Sequence, residues 1–72
     1  MAKLGLNNAI LEAMHGEGWM LARDISLKLR LGGWKASPIR VARVISARLT
    51  PWVETRKIGT GQLWLMYRLR GG

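Results

Sequence analysis

Cysteine is absent from this chain of 72 residues, acidic side chains number only four, and histidine occurs once. Each shortage removes a class of chemistry. Without thiols there is neither a disulfide framework nor a thiolate metal site to stabilise a small fold, so apolar packing or a partner chain must do it. Four carboxylates and His15 fall at no spacing that pairs an acid with a base or gathers three metal ligands. Catalysis, a metal and a cofactor are therefore all unexpected. His15, at the end of the first helical segment, reads as a cation or hydrogen-bond donor for terminal carbonyls. No apolar run approaches the roughly 20 residues of a membrane span, and Met1 to Leu6 lacks the apolar stretch of a signal peptide, so a cytoplasmic location is expected. There is no repeat and no low-complexity tract.

What the chain does contain is apolar and basic. A hydrophobic content of 49% with four tryptophans argues for a packed core rather than a disordered basic tail. One domain spanning 1–72 is expected, and a domain this small buries only about 60% of its unfolded surface, so every helix face and strand must contribute. The net charge is +8 and it is unevenly placed: residues 1–27 carry two basic and three acidic side chains, residues 28–72 ten and one. A positive field confined to the C-terminal two thirds points to a polyanionic partner, nucleic acid first and an acidic membrane surface or acidic protein behind it.

Ser37 to Leu49 (SPIRVARVISARL) carries the clearest local pattern. At about 100° per residue, Val41, Ala42, Ile45 and Leu49 form one stripe, while Arg40, Arg43 and Ala47 cluster half a turn away. One face packs and the other is offered outward. Ser37 supplies a capping hydroxyl, and Pro38 at the first helical position loses a donor that has no helical partner. Thr50 and Pro51 give the stop, because proline disfavours helical geometry in the residue before it. Upstream, Asn7 or Asn8 is expected to cap a helix to about His15, with Ile10, Leu11 and Met14 inward, Glu12 in water, and Gly16 and Gly18 ending it. Trp19 to Leu21 reads as a brief strand. A second helix from Ala22 to Leu31 turns Ala22, Ile25 and Leu29 inward and leaves Arg23 and Arg30 exposed; neither Leu21 nor Ala22 offers it a capping acceptor. Gly32 and Gly33 permit the positive backbone angles of a sharp exit.

After Pro51 the residues become β-type, with Gly59-Thr60-Gly61 between two strands of a hairpin over 52–70. If those three residues form the loop, Val53, Thr55 and Lys57 share a face with Leu63, Leu65, Tyr67 and Leu69. Trp52, Glu54, Arg56, Trp64, Met66 and Arg68 then occupy the other. A loop one residue longer or shorter would reverse this, so the register stays open. Trp19, Trp52 and Trp64 read as core. Trp34 either packs on the second and third helices, which is the expectation, or stands out to stack on a base or a partner.

The order helix (7–15), short strand, helix (22–31), turn, helix (38–49) and hairpin resembles the winged helix-turn-helix family of DNA-binding domains over nearly the whole chain. The resemblance implies an α+β fold of three helices with a short strand and a C-terminal β-hairpin wing. It also implies that the third helix enters the major groove of double-stranded DNA, giving base-edge roles to Arg40 and Arg43. An arginine fork matches the O6 and N7 acceptors of guanine, and such a pair discriminates by about 1–3 kcal/mol. Lys35 and Ser37 stand where ammonium, hydroxyl and free backbone N–H groups can hold a phosphate. Arg56, Lys57, Thr60 and Gln62 flank the hairpin tip and can clamp phosphates or enter the minor groove, although an edge-strand charge that opposes aggregation explains Lys57 equally well. Arg23, Lys28 and Arg30 on the second helix are the backbone contacts expected next, with a solvated helix face as the alternative reading of all three.

The functional expectation is therefore sequence-specific duplex DNA binding by a small, DNA-associated transcriptional regulator or a phage or plasmid accessory protein, with a homodimer allowed. Two alternatives stay open. The same scaffold can bind RNA or a left-handed duplex, or it can be a protein-interaction module using Trp34, Leu27 and the outer face of the wing. Membrane-surface binding is disfavoured, because no helix combines a continuous basic face with a broad apolar one.

Overall fold

The computed structural model describes residues 5–59 and 65–70. Within them the chain forms helix α1 (Leu6–Met14), strand β1 (Met20–Leu21), helix α2 (Ala22–Leu31), helix α3 (Pro38–Val44) continued by a π-helical segment (Ile45–Leu49), and strands β2 (Val53–Lys57) and β3 (Leu65–Leu69). The architecture is α+β, with the helices on one face of an antiparallel sheet in the order β1-β3-β2. The expectations for Thr60, Gln62, Leu63 and Trp64 fall outside the described residues.

The start of α1 differs from the expected asparagine cap. Gly5 occupies the cap position in extended geometry with no side-chain bond, and its carbonyl accepts from Ala9 N–H at 3.1 Å. Asn7 and Asn8 lie inside the first turn instead. The helix ends at Met14, where the backbone N–H of His15 donates to Glu12 O at 3.1 Å. Gly16 then turns the chain at φ 77°. Ile10 and Met14 are fully buried, Leu11 is half-buried and Glu12 is exposed.

Helix α2 solves its missing cap from within. The carboxylate of Asp24 reaches back to accept the N–H of Leu21 at 3.2 Å, the backward half of a capping box. Its exit is a Schellman motif: Gly33 N–H donates to Arg30 O at 3.0 Å and Trp34 N–H to Leu29 O at 2.8 Å, with Gly33 at φ 91°. That closure carries the half-buried Trp34 back onto the core to which Leu29 belongs. Ser26, buried on the same helix, donates its hydroxyl to Ala36 O and ties the turn down.

Helix α3 begins as its sequence dictates, with Ser37 Oγ accepting from Arg40 N–H at 3.2 Å and Pro38 in the first position. It does not continue as an α-helix to Leu49. In uninterrupted α-geometry Leu49 would drift about 80° around the axis from Val41. The slower rotation of the π segment keeps Val41, Ile45 and Leu49 in one line, and all three are buried. Thr50 also departs from expectation: it keeps helical angles (φ −55°, ψ −36°), and the helix stops because Pro51 has no N–H to donate into it. Trp52 N–H closes the end on Leu49 O at 2.9 Å.

The hairpin register pairs Val53 with Leu69, Thr55 with Tyr67 and Lys57 with Leu65. The residues therefore share faces as set out for a loop at Gly59 to Gly61, with Val53, Thr55 and Lys57 on the side of Leu65, Tyr67 and Leu69. Strand β1 adds Met20 opposite Tyr67 and Leu21 opposite Met66. Met20, Val53 and Tyr67 close over Ile10, Met14, Ala22, Ile25, Leu29, Val41, Ala42, Ile45 and Leu49 to make one core, and each large side chain in it contributes about 1.5–3 kcal/mol by its burial. Two tryptophans expected there are elsewhere. Trp52 is 55% exposed, because the turn after Pro51 carries it outside the sheet. Trp19 is only half-buried, because it precedes the inward-facing Met20 and so alternates onto the outer face.

Candidate functional site

All eleven arginines and lysines among the described residues are exposed, so what distinguishes them is which are neutralised and which stand together. The four carboxylates are few and largely engaged. Glu17 pairs with Lys28 at 2.9 Å and Glu54 with Arg68 at 2.7 Å, while Asp24 caps α2. Glu54 is held below the usual carboxylate range, first by the hydrogen bond from Arg68 and then by the charges of Arg68, Arg70 and Arg56.

The turn between α2 and α3 forms an open cleft lined by Ser26, Arg30, Trp34, Lys35 and Ser37, among others. Ser37 also lines a shallower concavity with Ile39, Arg40 and Arg43. The two depressions share Ser37, so Arg30, Lys35, Arg40 and Arg43 border one continuous surface from the end of α2 along the outward face of α3. No carboxylate lines either depression. Such a strip can accept several anionic groups in a row, and its arginines add fork-shaped donors that bind planar acceptors two at a time.

The packing explains why the strip is there. Burial of Val41, Ala42 and Ile45 fixes the rotation of α3 and turns Arg40 and Arg43 to solvent. The Schellman turn at Gly33 and the bond from Ser26 to Ala36 then set Lys35 and Ser37 at its start. Ser37 is a working N-cap whose hydroxyl oxygen keeps Arg40 N–H as a donor.

The other candidates divide. Arg23 and Arg30 lie on one flank of α2, about 20° apart around its axis, whereas Lys28 is about 140–160° away from both. Lys28 faces α1, paired with Glu17 and beside Ala9, Glu12 and Ala13, so it belongs to the acidic side of the molecule and not to the strip. Arg56 and Lys57, adjacent on β2, point to opposite faces of the hairpin. Arg56 lies on the outer face with its guanidinium 4.7 Å from the centroid of the Trp19 ring, and Arg68 reaches the same ring at 4.7 Å. Neither Trp19 nor Arg68 stood out in the sequence. A run of three apolar residues, Trp19-Met20-Leu21, has no alternation to reveal which one faces outward. His15 and Trp52 meet instead at a second groove with Leu11, Leu69 and Arg70, and Leu27 stands exposed on α2.

Among the described residues no helix is long and apolar enough to cross a membrane. The chain matches no protein-family model, no curated protein and no solved structure.

Proposed function

We propose that the chain is a double-stranded DNA-binding domain of the winged helix-turn-helix type that reads base sequence, and that it serves as a small transcriptional regulator or a phage- or plasmid-type accessory protein. The observation that carries this reading is the carboxylate-free strip of Arg30, Lys35, Ser37, Arg40 and Arg43. The antiparallel sheet in the order β1-β3-β2, with a hairpin following the third helix, is consistent with the winged architecture. In this reading α3 lies in the major groove, where Arg40 and Arg43, three residues apart on the outward face, reach neighbouring base edges. Lys35, Ser37 and Arg30 hold backbone phosphates beside them and set the register. Arg23 extends the phosphate contacts along α2, and Lys57 adds one from the hairpin.

The test is fluorescence anisotropy of a randomised duplex pool and a matched RNA hairpin against the protein at two salt concentrations, followed by sequencing of the bound fraction. Salt-dependent enrichment of one DNA motif is the expected result. Preference for the RNA hairpin, or tight duplex binding with no enriched motif, would overturn sequence reading. Absence of binding at low salt would leave a protein partner at Trp34, Leu27 and the hairpin's outer face as the better account.

A further inference from the structure

The outer face of the sheet carries a group of side chains that the strip on α3 does not use. Register places Glu54, Arg56, Met66 and Arg68 on this face, and Trp19 joins them at the end of β1. Both guanidiniums sit 4.7 Å from the centre of the Trp19 ring, within the range in which the ring's quadrupole attracts a cation. Their hydrogen-bonding states differ. Arg68 spends its Nε on Glu54 at 2.7 Å, while Arg56 forms no ion pair or side-chain hydrogen bond among the described residues. The four carboxylates of the chain all lie within those residues, so no further acidic side chain is available to neutralise it. Arg56 is thus a charge held over an indole ring, and its N–H groups have no ion-pair or hydrogen-bond partner among the described residues.

We infer that Trp19, Arg56 and Arg68 form a preassembled clamp for the phosphodiester backbone of a bound nucleic acid, with Arg56 as the contacting group and Trp19 as the residue that positions it. The clamp rests on the reading that the chain binds nucleic acid, but not on base readout by α3. A cation–ring contact uses none of the guanidinium's N–H donors, and these are the groups that grip phosphate oxygens. Glu54 accepts its hydrogen bond from Arg68 and meets Arg56 only through the field, so no carboxylate bonds the Arg56 N–H groups among the described residues. Holding a long side chain in place before binding avoids an ordering penalty equivalent to about two- to tenfold in affinity. The clamp is a positioned charge, so a lysine, which is compact and does not stack as a plane, does not replace the arginine.

The experiment follows the indole N–H of Trp19, identified by its loss in Trp19→Leu, the Nε–H of Arg56 and the backbone amides of Arg40 and Arg43 by NMR. A mixed-sequence DNA duplex and an RNA duplex are titrated separately into the full chain, and affinities are measured in parallel. The Trp19 and Arg56 signals are expected to move with nucleic acid. Trp19→Leu, Arg56→Ala and Arg56→Lys should each weaken binding about two- to tenfold, and Arg56→Ala should lower the salt slope by about one. The double variant Trp19→Leu/Arg56→Ala should be no weaker than Arg56→Ala alone, whereas Trp19→Phe should keep most of the affinity. If circular dichroism shows Trp19→Leu unfolded, Trp19→Phe and Arg56→Lys carry the comparison. Movement of the Arg40 and Arg43 amides while Trp19 and Arg56 stay still in both titrations overturns the clamp and leaves the α3 reading intact. Movement of Trp19 and Arg56 alone upholds the clamp and overturns α3 as the reader. Full affinity in Arg56→Lys would show that charge without stacking suffices, and would also overturn the clamp.

Discussion

At Gly33 the backbone stands at φ 91°, a region in which a Cβ is strained even though open space surrounds the position. Gly33→Ala is therefore expected to lower stability by about 1 kcal/mol in a denaturant melt, with the loss arising from backbone strain rather than a clash. Tyr67 presents a different single-residue consequence. The ring is fully buried, its hydroxyl has no hydrogen-bond partner among the described residues, and burial pushes its ionisation above the ordinary value of 10. The folded phenol stays neutral where the unfolded one ionises, so its contribution to stability is complete below that ordinary value and is lost as pH rises through the folded value. Thermal melts of the native chain should fall more steeply above pH 10 than those of Tyr67→Phe, and parallel curves would contradict this account.

Helix α3 divides its surface between a face buried in the core and a face in solvent, and under the proposed function the solvent face is the one that meets DNA. Ser37 and Pro38 set its start, and the line of Val41, Ile45 and Leu49 sets its rotation, with the π segment correcting the angular drift of a longer α-helix. The outward arginines are held by the element rather than by their own contacts. Arg43→Ala should therefore leave the melting curve nearly unchanged while relaxing preference at one base pair by about 1–3 kcal/mol, read from binding to a panel of single-base variants of the selected duplex. Lys57→Ala should weaken every duplex in that panel alike, because a phosphate contact carries no sequence information. Equal losses on all sequences for both variants would contradict the division of roles. In the hairpin, the alternation of β2 and β3 was legible because one face had to be buried: Val53 and Tyr67 fix the register, and Arg56 and Arg68 follow by parity.

Across the whole molecule the charge is sorted rather than spread. Glu12, Glu17 and Asp24 lie on α1, α2 and the loop between them, and Lys28 is drawn to that side by Glu17. The strip on α2 and α3 keeps its cations without a carboxylate lining it. With about five phosphates neutralised, log affinity for duplex DNA should fall with log salt at a slope of about −4 to −5. A slope near zero would mean that the apolar exposed side chains, Leu27 and Trp52 among them, drive association in place of the field.

The sequence by itself determined the features that depend on local chemistry and on simple periods. These include the Ser37 cap, the inward stripes of α2 and α3, the exit at Gly32-Gly33, the exposure of Arg23, Arg30, Arg40 and Arg43, and the presence of a hairpin whose strands alternate between two faces. Each follows from a side chain acting within a few residues or from an apolar period long enough to choose a face. Only the tertiary structure decided what depends on partners distant in the chain. Trp19 faces outward because Met20 is the residue that meets Tyr67, and a two-residue strand offers no pattern from which that choice can be read. Trp52 is carried into solvent by a turn whose direction is set where Arg70 bonds back to Trp52 O at 2.8 Å and Thr50 O at 3.2 Å. Lys28 is claimed by a glutamate eleven residues away. The π segment exists because the core needs Leu49 in line with Val41, a requirement set by the packing of α3 and not by the residues within it.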